Sequence, residues 1–264
     1  MAAIDITHLS ILLVEPSPTQ LKLIQRSLAE AGVDHVEGLS NGTEALAVME
    51  QFPPDLVISA MYLPDMTATE LVLSMRHNPT LQAVPFMLIS SETHFDALDP
   101  IRQAGVVAIL PKPFNQQDLQ RALRATIEFL DPQELELTHI DLEDLRVLVV
   151  DDSSTARTHI KRVLNNLGIV NITTAQNGRD AAEVFANSSY DLIVTDLNMP
   201  EMDGLQLVEY VRRQLGDESV PILMVTSEQD ATRLANVEQS GVSAMCDKPF
   251  EPQSIKETLV RVLR

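Results

Sequence analysis

The chain has one cysteine and no long apolar run. That single thiol, Cys246 among 264 residues, excludes a framework of internal disulfides and favours a reducing compartment, the cytoplasm. No stretch approaches the ~18 apolar residues that a membrane-spanning helix requires. The first residues, MAAIDITHLS, also lack the basic-then-apolar pattern of a secretory signal. We therefore expect a cytoplasmic protein without membrane insertion.

Positive charge is also scarce. The chain has 19 Lys and Arg against 38 Asp and Glu, for a formal charge of −19. Since affinity for phosphate backbones comes mostly from basic side chains, this balance argues against direct nucleic-acid binding. Solubility explains most of the acidity, and a carboxylate site for a divalent cation would explain a small part. The apolar content of 45% is that of a globular protein, and the length allows two domains.

An internal repeat is present. Adding 136 to a residue number brings Leu12 onto Leu148, Asp55 onto Asp191 and Lys112 onto Lys248, and roughly 30 of about 105 paired positions are identical without a gap. A period this long indicates duplicated domains and not a solenoid. We predict a first domain over residues 1–130, an acidic linker over 131–144 and a second domain over 145–264.

Each copy alternates strand and helix patterns. In the second copy, RVLVV is a wholly apolar run typical of a strand covered on both faces, and the helix that follows ends at Gly168. Further helices are predicted near 178–187, 205–214 and 230–239, with a last one from Gln253. Five such strand–helix pairs predict an α/β fold, a (βα)5 doubly wound parallel sheet of the flavodoxin-like kind. Ligands bind such sheets beyond the carboxyl ends of the strands.

Polar groups follow several strands of the second copy: Asp151 and Asp152 the first, Asp196 the third, Thr226 the fourth and Lys248 the fifth. Taken singly, Asp152 is as well explained as a helix cap and Lys248 as a surface lysine. Their convergence at one sheet edge favours a common site. Clustered carboxylates suit Mg²⁺, and a carboxylate can attack phosphorus while an ammonium and a hydroxyl neutralise the transferred charge.

The motifs VVDDSSTAR, VTDLNMPEMDG, VTSE and DKPF, in this order and spacing, resemble the receiver domain of bacterial two-component response regulators, closest to chemotaxis-type receivers. The resemblance implies that Asp196 is phosphorylated by a histidine kinase or phosphotransfer protein. It implies Mg²⁺ bound by Asp152 and Asp196 directly, by Asp151 through water and by the carbonyl of Asn198. Lys248 would contact the phosphoryl group, Thr226 would be the switch hydroxyl, and the Lys248–Pro249 bond would be cis.

One departure from that family concerns Met245, which stands where an aromatic residue usually reports phosphorylation. The signal would then depend on backbone shifts or on methionine repacking.

The first copy retains the strand and helix pattern but lacks the acids found at the strand ends of the second copy. Ala60 replaces the acceptor and Glu15-Pro16 replaces the acid pair, while Ser90 and Lys112 remain. Ala has no nucleophile and one glutamate is a poor Mg²⁺ site, so we expect a degenerate receiver in which Lys112 pairs with Glu15. Asp65 matches Glu201, beyond the loop proline, and is not expected to substitute as acceptor.

Function is predicted as a two-component response regulator whose output is protein–protein interaction, with an unknown output protein and a first domain that docks or dimerises. The alternatives are a phosphate sink or scaffold, and an N-terminal regulatory fragment of a larger effector. A phosphatase is disfavoured because Asn198 stands where an aspartyl phosphatase needs a second carboxylate. No enzymatic activity is expected beyond the receiver's own phosphotransfer and autodephosphorylation.

Overall fold

The computed structural model describes residues 6–130, 141–228, 230–250 and 252–263. The chain divides into two compact units, Met1–Pro132 and Gln133–Arg264. Most of the predicted linker, residues 131–140, lies outside the described residues. At its described end, Leu142 is buried and packs beside Gly168 of the second unit.

In the first unit a parallel sheet has the strand order β2-β1-β3-β4-β5. Its strands are β1 (Ser10–Val14), β2 (His35–Leu39), β3 (Leu56–Ala60), β4 (Phe86–Ser90) and β5 (Ala108–Pro111). Its helices are α1 (Pro18–Glu30), α2 (Gly42–Gln51), α3 (Ala68–His77), α4 (Phe95–Gln103) and α5 (Gln116–Leu130).

The second unit repeats this order as β7-β6-β8-β9-β10. Its strands are β6 (Arg146–Val150), β7 (Asn171–Ala175), β8 (Leu192–Asp196), β9 (Ile222–Thr226) and β10 (Ala244–Asp247). Its helices are α6 (Ser154–Asn166), α7 (Gly178–Asn187), α8 (Gly204–Glu209), α9 (Ala231–Gln239) and α10 (Pro252–Val262). The predicted fold class, two tandem doubly wound parallel sheets, is confirmed.

Local sequence explains where the helices begin and end in both units. Asn41 and Asn177 accept a hydrogen bond from the backbone N–H three residues later and so cap α2 and α7. Gly32 and Gly168 have φ of +96° and +98°, a left-handed conformation that suits glycine after a helix. The central strands β3 and β8 are buried throughout, as expected for strands covered by helices on both faces.

An arginine near the end of the third helical segment is kept in both units and bonds main-chain carbonyls. Arg76 donates to the carbonyls of Val84 and Gly105 at 2.8 and 3.0 Å, and to two others. Arg212 donates to the equivalent carbonyls of Val220 and Gly241 at 2.7 and 3.1 Å, and to that of Asp217. Each guanidinium therefore ties its helix to the chain before the next two strands.

The helix predicted over 205–214 differs from expectation. After α8 the chain forms a turn of π-helix, Tyr210–Gln214, in which the N–H of Leu215 bonds the carbonyl of Tyr210 at 3.1 Å. The apolar residues that predict a helix here, among them Leu207 and Val211, are buried in this winding. Their spacing therefore does not encode the wider turn.

Within the described part of the chain, no helix combines the length and the apolar character needed to cross a bilayer.

Candidate functional site

The carboxyl ends of four neighbouring strands bring the predicted site residues of the second unit together. Asp151 directly follows β6, Asp196 ends β8, Thr226 ends β9, and Lys248 directly follows β10. These strands are parallel neighbours, and in register Asp196 is opposite Val225, the residue before Thr226. The convergence predicted from the sequence is therefore present.

Three carboxylates form the acidic part of this site. One oxygen from each of Asp151, Asp152 and Asp196 lies within 4.8 Å of the others. Asp151 and Asp196 are 0% and 1% exposed, whereas Asp152 is exposed. Two of the three negative charges are thus removed from solvent.

Lys248 supplies the counter-charge. Its Nζ donates to Asp151 Oδ2 at 2.9 Å and forms an ion pair with Asp196 Oδ2 at 3.0 Å. The second contact is outside hydrogen-bonding geometry, so Asp196 Oδ2 is a buried oxygen without a hydrogen bond. Asp196 Oδ1 accepts from the backbone N–H of Leu197 at 2.8 Å. One oxygen of Asp196 is therefore held by the main chain, and the other retains acceptor capacity.

Burial dominates the electrostatics of the two inner carboxylates. It raises the pKa of Asp196 to about 6, even though Lys248 acts in the opposite direction. Burial likewise raises the pKa of Asp151 against the attraction of Lys248. Burial works against the charge of Lys248, but the two carboxylates outweigh it and raise its pKa. The ammonium is thus retained beside two carboxylates whose charged forms burial disfavours.

This donor set fits a hard divalent cation. Mg²⁺ prefers carboxylate oxygens and commonly takes one or two of them together with water and phosphate oxygens. The clustered oxygens and the unsatisfied Oδ2 of Asp196 match that preference. Asn198 lies exposed in the loop two residues after Asp196, and the role of its carbonyl as a ligand stays a prediction.

The hydroxyl and the lysine backbone at this edge are also fixed. Thr226, 1% exposed, accepts from the backbone N–H of Glu228 through its Oγ1 at 3.0 Å, and its carbonyl accepts from the backbone N–H of Lys248 at 2.9 Å. The Lys248–Pro249 bond is cis, as the resemblance implied. Met245 is half-buried and packs against the apolar cluster of the second unit.

Two residues at this edge had no role in the sequence analysis. Arg157 of α6 donates through Nη1 to the carbonyls of both Asp151 and Asp152. A Cβ built on Gly204 would lie 2.2 Å from the carbonyl oxygen of Asp196, so only glycine fits there in this backbone. The repeat contained a signal for both, because the first copy has Leu21 and Ala68 at these positions.

The corresponding edge of the first unit contains an ion pair in place of the acid cluster. Lys112 Nζ donates to Glu15 Oε2 at 2.9 Å, and Glu15 is 4% exposed, which confirms the predicted pairing. Ala60 and Pro16 occupy the positions of Asp196 and Asp152 and bring no carboxylate. Ser90 Oγ still accepts from the N–H of Glu92 at 2.9 Å, as Thr226 does from Glu228.

Asp65, the first acid after Ala60 in the chain, bonds the backbone at the start of α2. It accepts from the N–H groups of Gly42 and Thr43 at 2.9 and 2.7 Å and from the hydroxyl of Thr43. The Thr43 hydroxyl and then these N–H groups lower its pKa to about 2. Its oxygens are thus engaged at a helix N-terminus.

Comparison with known proteins agrees with this geometry. The family model described as "Response regulator receiver domain" matches residues 11–124 and again 147–260. Helicobacter pylori chemotaxis protein CheY1 is 42% identical over 120 residues, which is 45% of this chain and 97% of that protein. Pseudomonas aeruginosa chemotaxis protein CheY is 36% identical over 118 residues, 45% and 95% of the two chains.

Among solved structures, Vibrio cholerae chemotaxis protein CheY4 is similar at 35% identity and a TM-score of 0.42, covering 45% of this chain and 98% of that one. The two family matches together span most of the 264 residues. The chain therefore belongs to the response regulator receiver domain family, carries that domain twice, and is a response regulator of two-component signalling.

Proposed function

We propose that the second domain accepts a phosphoryl group on Asp196 and that the first domain has no phosphoacceptor chemistry. The observation that carries this proposal is the Oδ2 atom of Asp196, buried without a hydrogen bond between two other carboxylates and Lys248. A histidine kinase or a phosphotransfer protein would supply the group.

In the proposed step, an oxygen of the Asp196 carboxylate attacks phosphorus. The bond between phosphorus and the donor's imidazole nitrogen breaks, and that nitrogen leaves with the electron pair and is then protonated. With its pKa at about 6, Asp196 is mostly ionised at neutral pH and is the nucleophile. Hydrogen bonding of Oδ1 to Leu197 fixes the orientation of the carboxylate.

The surrounding residues would bind the cation, neutralise the charge of the phosphoryl group and start the conformational response. Asp151, Asp152 and Asp196, with the carbonyl of Asn198, would hold Mg²⁺, which when bound neutralises charge on the transferred group. Lys248 lies between Asp151 and Asp196 and would meet a phosphoryl oxygen with its ammonium. Thr226 would exchange its bond from Glu228 for one to the new phosphoryl group, and that exchange would start the conformational response.

Output would follow through protein–protein contacts in the cytoplasm, where the single thiol would stay reduced. The chain would catalyse only its own phosphotransfer and dephosphorylation. The first domain, with an intact sheet and an internal ion pair in place of the acids, would serve as a binding or dimerisation module.

The test is Asp196→Asn in the full chain, incubated with acetyl phosphate and Mg²⁺, trapped with borohydride and mapped by mass spectrometry. The amide keeps the shape and removes the anionic nucleophile, so no label is expected. The matched control is Asp65→Asn, which should label on Asp196 like the wild type. Equal labelling of the Asp196→Asn chain, or label elsewhere in the wild type, would overturn the proposal.

A further inference from the structure

A guanidinium holds the loop that bears two of the three acids. Arg157 is the fourth residue of α6, and its Nη1 donates to the carbonyls of Asp151 and Asp152, the latter at 3.1 Å. It is half-buried. The two consecutive peptide groups that orient these acids are therefore bonded to one rigid, planar cation.

Comparison of the two copies distinguishes this contact, which only the second copy has, from contacts that both copies keep. The arginines that tie helix to loops, Arg76 and Arg212, are present in both copies. The serine caps of the first helices, Ser17 and Ser153, are also present in both. In the first copy the position of Arg157 is occupied by Leu21, whose side chain lies against Gly38 of β2. The fold thus persists without this guanidinium where the acid pair is absent.

The guanidinium of Arg157 restrains the backbone of the acid cluster. Fixing both carbonyls limits rotation of the backbone at Asp151 and Asp152, which keeps their carboxylates directed at the same region. Asp151 is additionally held by Lys248 and by the N–H of Ser153, at 2.9 and 2.8 Å. Asp152 is exposed, so orientation of its carboxylate depends more on the main chain.

We infer that Arg157 is a positioning residue for the divalent-cation site, acting through the main chain of Asp151 and Asp152. The inference rests on the proposed function of the second domain. Partners that orient metal ligands commonly contribute roughly 10–100-fold to metal affinity. Loss of the guanidinium should therefore weaken cation binding by about that factor without affecting the nucleophile.

The experiment uses the full chain with Arg157→Leu, the residue that the first copy tolerates at this position, and Arg157→Lys. Mn²⁺ is the probe, and its dissociation constant is measured by electron paramagnetic resonance. Roughly 10–100-fold weaker binding is expected for Arg157→Leu. An intermediate loss is expected for Arg157→Lys, whose ammonium keeps the charge but lacks the planar fork. Melting in EDTA verifies that each variant is folded.

Labelling by acetyl phosphate at graded Mg²⁺ provides a second readout. A positioning role predicts a higher half-saturating Mg²⁺ concentration with a maximal rate near that of the wild type. Wild-type Mn²⁺ affinity in a folded Arg157→Leu chain would overturn the inference, as would labelling that saturating Mg²⁺ does not restore. If Arg157→Leu does not fold, Arg157→Lys decides by the same criteria. Failure of the wild type itself to bind Mn²⁺ would instead refute the proposed function.

Discussion

The two domains share a sheet order, helix caps and arginine ties, and differ at one edge of the sheet. In the second domain that edge holds three carboxylates and one lysine, with two acids whose pKa values burial raises. In the first domain it holds one glutamate and one lysine in a closed pair. A fold of this kind therefore does not need its acid cluster, and the cluster is an electrostatic cost to the domain that retains it.

The largest expected difference between the two domains is in covalent labelling, and it is tested by Ala60→Asp introduced together with Asp196→Asn. We expect no covalent label anywhere, because Glu15 and Pro16 provide no cation site and Lys112 is already paired. Mass spectrometry after treatment with acetyl phosphate is the measurement, with Asp196-containing wild type as the positive control. Label on residue 60 would show that the first domain lacks only the acceptor carboxylate and needs no other change to be phosphorylated.

Removing one partner of the ion pair in the first domain should lower the free energy of unfolding more than removing both partners. Lys112→Met leaves the buried Glu15 carboxylate without its partner, and we expect a loss of up to about 3 kcal/mol in the free energy of unfolding of that domain. Glu15→Gln/Lys112→Met should recover part of this loss. Urea unfolding of the three chains gives the comparison, and an equal loss in the double variant would contradict a role for the unpaired charge.

Divalent cations should stabilise one domain only. Mg²⁺ at a hundred times its dissociation constant should add about 2.7 kcal/mol to the unfolding free energy of the second domain. Asp152→Asn should reduce that gain, and Glu15→Gln should leave it unchanged. Calorimetry with and without Mg²⁺ measures both. A gain that survives Asp152→Asn and disappears in Glu15→Gln would place the cation in the first domain.

The shared arginine should behave alike in the two domains. Arg76→Leu and Arg212→Leu each leave two or more carbonyls without their charged donor, and we expect each to cost its own domain about 2 kcal/mol. Neither should alter Mn²⁺ affinity by the factor expected for Arg157→Leu. A large loss of affinity in Arg212→Leu would show that any damage to the second domain disturbs the cation site.

The smallest effect concerns acid stability of the first domain. The pKa of Asp65 is lowered to about 2, so its bonds stabilise the folded state above its ordinary pKa and are lost as pH falls toward 2. The stability difference between wild type and Asp65→Asn should thus be constant near neutral pH and shrink below about pH 4. Acid titration followed by circular dichroism checks this, and a difference independent of pH would contradict it.

The sequence predicted the fold and the meeting of the acids and Lys248 at one sheet edge, because periodicity and strand ends are local properties. Gly168, which the sequence placed at the end of α6, lies two residues after its last residue, Asn166, and α7 has the predicted bounds. The Glu15–Lys112 pair follows from a lysine that both copies share and an acid at residue 15. Arg157 was given no role because its partners are main-chain carbonyls, and the difference between Leu21 and Arg157 in the repeat marks the position without identifying those partners. The π turn was missed because an apolar pattern predicts a buried helical face, here that of Val211, and does not specify the hydrogen-bond spacing of the backbone.

The close approach of Gly204 to the carbonyl of Asp196 bears on how the two copies could have diverged. A methyl group at residue 204 would overlap that oxygen, yet the first copy has Ala68 there, fully buried. Its backbone has therefore adjusted to a side chain that the acceptor loop excludes. If Asp196 is the phosphoacceptor, we therefore expect that the first domain would need changes at Ala60, Pro16 and Ala68 together before it could accept a phosphoryl group, because the backbone beside Ala60 is built around a methyl group that position 204 excludes.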